Sequence, residues 1–133
     1  MENGIAILVV EDELPIRRLI RMTLMEHNFL TLEASNGLNA LSVARSYKGK
    51  IAVAIVDLMM PEMGGLDFVN QLGIDRPETK VWYISGYGES VAVESLTQEI
   101  PRAILKKPFS GQHLMISVQA LISDIGKDHG VGL

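Results

Sequence analysis

Unbroken apolar runs alternate along the chain with segments of helical periodicity. Ile5–Val10, Ile51–Val56 and Val81–Ser85 are continuous runs rich in β-branched residues, a pattern typical of strands that are covered on both faces. Two further runs, Leu30–Ala34, which alternates, and Ala103–Leu105, which is short, suit the edges of the same sheet. The pattern therefore predicts five strands.

The segments between and after these runs predict five helices. The first, Leu14–His27, has Pro15 near its start, where the missing N–H costs nothing. Its apolar stripe is formed by Ile16, Leu19, Ile20 and Leu24. The other predicted helices are Leu38–Tyr47, Leu66–Leu72, Glu89–Gln98 and a last one from Ser110, as N-cap, to Ile125. Strict alternation of strand and helix predicts one parallel sheet with helices on both faces.

Length, charge and cysteine content narrow the class of protein. A chain of 133 residues fits one domain, predicted here as 1–125, followed by a flexible tail or truncated linker at 126–133. A net charge of -4 argues against binding to nucleic acid or to an anionic membrane surface. The absence of cysteine excludes disulfides and thiolate metal sites, and the N-terminus lacks the pattern of a signal peptide or a membrane span. We therefore expect a soluble, cytoplasmic domain.

Polar residues that suit phosphate chemistry stand where the apolar runs end. They are Glu11 and Asp12 after the first run, Asp57 after the third, Ser85 at the end of the fourth, and Lys106 and Lys107, which precede Pro108, after the fifth. Function in parallel sheets lies at the carboxyl ends of the strands. If the first and third runs are neighbours, their ends lie about 5 Å apart, and three carboxylates crowd together. Such a cluster needs a cation, and an oxygen-only ligand set favours Mg²⁺ or Mn²⁺.

Each of these residues also has a simpler interpretation. Glu11 and Asp12 could cap the first helix and favour its dipole. Lys107 could be a surface charge and Ser85 a turn hydroxyl. These separate interpretations do not explain why all the strand ends concerned carry groups compatible with phosphate.

The segments VVEDE, VDLMMPEMGG, YISGYG and LKKPF, in that order, resemble the receiver domain of bacterial two-component response regulators. The resemblance covers roughly residues 5–125. It implies a flavodoxin-like (βα)5 fold, a three-layer sandwich around a parallel five-stranded sheet of order 2-1-3-4-5. It also implies phosphorylation of Asp57 from the phosphohistidine of a histidine kinase or a histidine phosphotransfer domain. Such a domain is not an enzyme in the usual sense, because it catalyses only its own phosphorylation and dephosphorylation.

The resemblance also assigns roles to single residues. Asp57 is the phosphoacceptor, Ser85 is expected to hydrogen-bond a phosphoryl oxygen, and Lys107 is expected to pair with Asp57 and then with the phosphate. For Mg²⁺, the resemblance implies Asp12 and Asp57 as ligands and Glu11 as a ligand directly or through water. The backbone carbonyl of Met59 is expected as the remaining protein ligand.

One position departs from the family pattern. Three residues before Lys107 the family usually has Tyr or Phe, which swings inward on activation, whereas this chain has Ile104. Activation is therefore expected to proceed through movement of Ser85 and of the 86–90 loop, with Tyr87 as a candidate substitute for the missing ring.

Two surfaces are candidates for protein partners. The first helix carries Arg17, Arg18 and Arg21, which resembles the side that receivers offer to kinase or phosphotransfer helices, although a merely solvated helix face explains the pattern equally well. Ile116 and Ala120 on the last helix are candidates for an output or dimer surface formed by the last two helices and the last strand. No partner is expected among nucleic acids or membranes.

Two other functional classes compete with a signalling receiver. A phosphotransferase or phosphatase of the haloacid-dehalogenase type also uses a strand-end aspartate, but it requires a second aspartate where this chain has Met59. A degenerate receiver used only for protein contacts is disfavoured because all the key side chains are present. A Walker A loop is missing from the sequence, which leaves nucleotide hydrolysis without a site.

Overall fold

A computed structural model describes residues 5–58, 64–85 and 103–106, together with 110, 112, 113, 116, 117, 119, 120 and 123. The strands are β1 (Ala6–Val10), β2 (Leu30–Ala34), β3 (Ile51–Asp57), β4 (Lys80–Ser85) and β5 (Ala103–Lys106). The helices are α1 (Leu14–Glu26), α2 (Gly37–Ser46) and α3 (Gly65–Asp75). All five strands and the first three helices lie where the sequence pattern predicts them, with small differences at their ends. The predicted helix Glu89–Gln98 lies outside the described residues.

The strands form one sheet of order β2-β1-β3-β4-β5, and every neighbouring pair is parallel. This order confirms the fold that the resemblance implied. Parallel pairing brings the carboxyl ends of all five strands to one edge of the sheet. At that edge Val10 is paired with Val56, and Asp57 with Ile84.

Alternate residues of the central strands pack into two separate apolar layers. On the α1 side, Ile7 and Val9 of β1 contact a cluster that includes Ile20 and Leu24 of the helix. On the opposite side, Leu8 and Val10 pack in the layer covered by α2 and α3, which includes Leu41, Ala44, Phe68 and Leu72. The continuous apolar runs in the sequence are explained by this burial on both faces.

The apolar stripe of α1 differs from the predicted one at a single position. Ile20 and Leu24 are buried and Ile16 packs against the core, but Leu19 is 41% exposed. Thr23 is buried instead, and its hydroxyl donates a hydrogen bond to the Leu19 carbonyl. A threonine can occupy a buried helical position because its hydroxyl is satisfied within the helix.

Local capping and anchoring interactions fix the ends of α2 and α3. The Asn36 side chain accepts a hydrogen bond from the Asn39 N–H, which starts α2 one residue earlier than predicted. At the far end of α3, the Arg76 guanidinium donates to the carbonyls of Ala44, Tyr47 and Gly49. Arg76 thereby ties the end of α3 to the chain that leads from α2 into β3.

The last predicted helix is partly described. Residues 112, 113, 116, 117, 119, 120 and 123 are helical, and the Ser110 hydroxyl accepts a hydrogen bond from the His113 N–H, as expected for an N-cap. In the described part of the chain, no helix has the length and apolar character needed to cross a membrane.

Candidate functional site

Three carboxylates converge at the carboxyl edge of the sheet. Glu11, Asp12 and Asp57 each offer one ligand oxygen, and these oxygens lie within 4.8 Å of one another. The cause is the sheet order, because β1 and β3 are direct neighbours and end at the same level. The structure therefore produces the carboxylate cluster that the strand ends predicted, in a geometry that could hold a divalent cation.

The three side chains differ sharply in exposure. Glu11 is fully buried and Asp57 is 2% exposed, whereas Asp12 is exposed. Among the described residues of the site, Glu11 and Asp57 therefore form its buried part and Asp12 its exposed part. A small hydrated ion or a phosphate donor can approach from the side of Asp12.

This arrangement disfavours the charged form of Glu11. The pKa of Glu11 is raised from 4.5 to about 8, mainly by burial and further by side-chain hydrogen bonds with Asp57 and Asp12 and by the charge of Asp57. A hydrogen bond from the Glu13 N–H to Oε2 of Glu11, at 3.1 Å, opposes the rise. At neutral pH the cluster thus holds a proton on Glu11, and a divalent cation among the three oxygens would take the place of that proton.

Hydrogen bonds around the backbone of Glu11 hold the start of the β1–α1 loop. Its N–H donates to the Ala34 carbonyl of β2 at 3.0 Å. Its carbonyl accepts from Nη1 of Arg17 at 2.8 Å. The loop that carries two of the three carboxylates is therefore attached to β2 on one side and to α1 on the other.

Asp57 is fixed by its strand neighbours and by the start of α3. The next residue, Leu58, donates its N–H to the Ile84 carbonyl of β4 at 3.1 Å and accepts from the Gly65 N–H at 3.2 Å. A Cβ at Gly65 would lie 2.3 Å from the Asp57 carbonyl oxygen. Only glycine permits this approach, which explains Gly65, the second glycine of the pair that follows the third apolar run.

The remaining predicted site residues are placed only in part. Ser85 ends β4 and is paired in register with Lys106 at the end of β5, at the same edge of the sheet as Asp57. Met59 and Lys107 lie outside the described residues. Ile104 lies within β5, as the spacing before Lys107 requires.

Two of the α1 arginines that are candidates for a partner surface or a solvated face form ion pairs with β2. Nε of Arg17 and Nη1 of Arg21 both bind the Glu33 carboxylate, each at 3.3 Å. Arg17 is a structural residue with a 17% exposed side chain, whereas Arg18 is exposed to solvent. The sequence signal for these ion pairs was Glu33, the single charged residue in the alternating strand β2. Its partners could not be read from the sequence, because they depend on how α1 crosses that strand.

Buried Tyr83 is a residue to which the sequence assigned no role. It packs with Leu58, Val69 and Val81 on the α3 side of β4. Burial raises the pKa of Tyr83 to about 12, so its hydroxyl stays protonated.

Fold and site together define a class of protein. The chain is a flavodoxin-like α/β domain with a cluster of acidic side chains at the carboxyl edge of its parallel sheet, beside the point where the strand order reverses. That combination places a candidate divalent-cation site at the edge where open parallel sheets bind their ligands.

Comparison with known proteins gives the family. The family model described as "Response regulator receiver domain" matches residues 7–119, and the chain belongs to this family. It is a response regulator receiver domain of two-component systems.

Two curated relatives match most of this chain. The transcriptional regulatory protein SrrA of Staphylococcus aureus is 35% identical over 117 residues, which cover 87% of this chain and 47% of SrrA. The sensor kinase CckA of Brucella abortus is 28% identical over 92% of this chain and 13% of CckA. The chain thus spans under half the length of these curated relatives.

Solved structures agree with the sequence comparison. The REC domain of AraT, a response regulator from Geobacillus stearothermophilus, is 30% identical, with a TM-score of 0.76 over 93% of this chain and 97% of that domain. A receiver domain protein from Clostridium thermocellum is 27% identical, with a TM-score of 0.72 over 90% of this chain and 94% of that protein.

Proposed function

We propose that this receiver accepts a phosphoryl group on Asp57 from the phosphohistidine of a histidine kinase or a histidine phosphotransfer domain, in a Mg²⁺-dependent reaction. The observation that carries the proposal is the convergence of Glu11, Asp12 and Asp57 within 4.8 Å at one edge of the sheet. The phosphorylated domain then changes conformation and passes the signal on.

Asp57 suits the role of nucleophile because it is held rigidly at the inner end of the site. Its backbone pairs with Ile84, and Gly65 packs against its carbonyl. A carboxylate oxygen of Asp57 attacks phosphorus while the bond from phosphorus to the histidine nitrogen breaks, and that nitrogen keeps the bonding electrons. That nitrogen takes up a proton from solvent, so the products are an acyl phosphate on Asp57 and a neutral histidine on the donor.

The carboxylate cluster fits a hard divalent cation because its ligand atoms are all oxygens and one side is open to water. Asp12 and Asp57 would bind the ion directly and Glu11 directly or through water, with the Met59 carbonyl as a further ligand. Mg²⁺, or Mn²⁺ in its place, would neutralise the negative charge on the transferring group. The protein's own task is to keep the three carboxylates close together.

Ser85 and Lys107 complete the proposed site. Ser85 ends the strand next to Asp57, where its hydroxyl could donate to a phosphoryl oxygen. Lys107 follows directly after β5 and would supply a cation to the phosphoryl group. With Ile104 in place of the usual aromatic residue, activation is proposed to be read through Ser85, the 86–90 loop and Tyr87.

The decisive experiment is phosphorylation by acetyl phosphate. With Mg²⁺, the intact mass should rise by about 80 Da, one phosphoryl group, and hydroxylamine should remove the adduct as expected for an acyl phosphate. Asp57→Asn should abolish the adduct, whereas Asp67→Asn, which alters an exposed carboxylate of α3, should keep it. An adduct that persists in Asp57→Asn would refute the assignment, and a chain that takes up no phosphoryl group would point to a receiver used only for contacts.

The same experiment tests the proposed limits of catalysis. We propose that the domain catalyses only its own phosphorylation and dephosphorylation. Released phosphate should then match the amount of adduct formed and lost, and small phosphate monoesters should not be hydrolysed. Sustained hydrolysis of such an ester would instead favour a phosphatase.

The proposed docking surface for the phosphohistidine donor is the exposed side of α1. Leu14, Met22 and Met25 are 41%, 55% and 56% exposed, and Arg18 is exposed beside them. Met22→Glu should slow transfer from a phosphorylated histidine kinase, found by screening, and leave phosphorylation by acetyl phosphate unchanged. Ile74→Glu, at a 74% exposed position of α3, is the matched control.

Further parts of the proposal concern the ends of the chain and its surroundings. The receiver is proposed to occupy 1–125, with 126–133 as a tail or linker, and to work in the cytoplasm without binding nucleic acid or membranes. The exposed Ile116 and Ala120 are proposed as part of an output or dimer surface formed by the last two helices and the last strand.

A further inference from the structure

We infer that Arg17 is a positioning residue for the divalent-cation site and that Glu33 of β2 holds it in place. The inference rests on the metal site of the proposed function. Arg17 would contact neither the cation nor the phosphoryl group. It would act through the backbone of Glu11.

The first step of the argument is geometric. One guanidinium group bridges two elements, because Nη1 of Arg17 donates to the Glu11 carbonyl at 2.8 Å and Nε binds Oε1 of Glu33 at 3.3 Å. The Arg17 N–H also donates to the Glu13 carbonyl at 3.0 Å, which closes the first turn of α1 over the same loop. Arg17 therefore joins α1, β2 and the β1–α1 loop at one point.

The second step concerns what the loop must resist. Glu11, Asp12 and Asp57 place carboxylate oxygens within 4.8 Å of one another, and once all three groups are deprotonated, as a cation site requires, their like charges repel. Two of the three stand on the loop next to β1. If the loop moves under this repulsion, the ligands separate. Part of the free energy of cation binding is then used to bring them together again.

The third step is the fixed direction of the Arg17 side chain. Oε1 of Glu33 binds Arg17 and Oε2 binds Arg21, so the carboxylate holds two guanidinium groups at once. Glu33 itself is fixed in β2, opposite Val9 of β1. The planar guanidinium group suits this double contact better than an ammonium group, since its N–H donors point in fixed directions.

Positioning and simple charge make opposite predictions for Arg17→Met. If Arg17 acted only through its charge, removing a cation near the site would tighten Mg²⁺ binding. If it positions Glu11, removal should weaken Mg²⁺ binding about tenfold, the lower end of the range seen when groups that orient metal ligands are lost. Arg17→Lys, which keeps the charge, should recover only part of the affinity.

The test measures the Mg²⁺ dissociation constant by titration calorimetry in the full chain at one pH, with the native state of each variant checked by circular dichroism. Arg45→Met serves as the matched control, because it removes an arginine–aspartate pair between α2 and α3. That pair joins the last turns of the two helices, away from the carboxylate cluster, and its loss should leave Mg²⁺ binding unchanged.

A double-mutant cycle tests the part assigned to Glu33. Glu33→Gln should weaken Mg²⁺ binding in the wild-type background and add little in Arg17→Met, because both changes release the same side chain. Hydrogen exchange of the Glu11 and Glu13 amides without metal should quicken in Arg17→Met and not in Arg45→Met. This readout does not depend on phosphorylation.

The outcomes separate the inference from the proposed function. Mg²⁺ binding that is unchanged or tighter in Arg17→Met, with wild-type binding intact, overturns the inference alone. Failure of the wild-type chain to bind Mg²⁺, or binding that survives Asp12→Asn and Asp57→Asn together, overturns the metal site and with it the inference. Weaker binding in Arg17→Met, with Glu33→Gln coupled to it, supports both.

Discussion

The contact between Gly65 and Asp57 makes a sharp prediction about how α3 supports the site. In Gly65→Ala the new Cβ would lie 2.3 Å from the Asp57 carbonyl oxygen and 2.8 Å from Cα of Leu58. Both neighbours are backbone atoms and cannot turn away as a flexible side chain would. Relief of the clash requires the start of α3 or the end of β3 to move by about 1 Å, a response typical of overpacking.

The expected cost follows from this displacement. Overpacking of this kind costs about 1–3 kcal/mol, and the rigid neighbours place Gly65→Ala near the upper end. For a chain of this length, a loss of about 3 kcal/mol lowers the melting temperature by about 10 °C. Phosphorylation by acetyl phosphate should also slow, because the segment that moves carries the nucleophile.

Two other glycines of the same region provide matched controls. A Cβ at Gly64 would have the Leu58 carbonyl oxygen as its nearest neighbour, at 4.0 Å, so Gly64→Ala should cost less than about 1 kcal/mol, the difference between Gly and Ala at an N-cap. A Cβ at Gly73 would meet nothing within 4 Å, and Gly73→Ala should stabilise α3 by about 0.5–1 kcal/mol through helix propensity.

The assay is thermal and urea unfolding of the three variants beside the initial rate of phosphorylation. From the most to the least stable, the expected order is Gly73→Ala, wild type, Gly64→Ala and Gly65→Ala. The reasoning would be refuted if Gly65→Ala melted with Gly64→Ala and reacted at the wild-type rate. That result would mean that α3 and β3 are not in close contact at this point.

Three further predictions concern pH and the anchoring of the helices. Since the pKa of Glu11 rises from 4.5 in the unfolded chain to about 8 in the fold, stability without metal should fall as pH rises through that range, by at most about 5 kcal/mol at about 1.4 kcal/mol per pH unit, and level off above it. Urea unfolding from pH 5 to 9 checks this prediction, and Glu11→Gln should flatten the dependence of stability on pH. A stability that rises with pH in the wild type but not in Glu11→Gln would contradict it. Arg76→Met should lower the free energy of unfolding by at least about 2 kcal/mol, because three backbone carbonyls lose a charged hydrogen-bond donor. Arg76→Lys should cost less, and equal stability of Arg76→Met and wild type would count against the role of Arg76 as an anchor. Asn36→Ala should cost about 1 kcal/mol by loss of the α2 cap, and Asn36→Asp, which can still cap, should cost little; equal losses in the two variants would argue against capping.

Much of the architecture could be read directly from the chain. Apolar runs covered on both faces and alternating with amphipathic segments gave the five strands, three of the helices and the parallel sheet, because these features depend on local periodicity and on burial. The polar residues after the runs also marked the edge of the sheet that carries Glu11, Asp12 and Asp57. The particular strand order came from the resemblance to receivers, since periodicity alone does not say which strands are neighbours.

The tertiary structure alone decided the environment of each side chain. It placed Glu11 in a fully buried position and Asp12 in an exposed one, although the two are adjacent in the chain. It also made Arg17, which the sequence offered either as a partner contact or as part of a solvated face, a link between Glu33 and the loop of the site. Desolvation, ion pairing and close approach depend on residues far apart in the sequence, so they exist only once β1, β2 and β3 lie side by side.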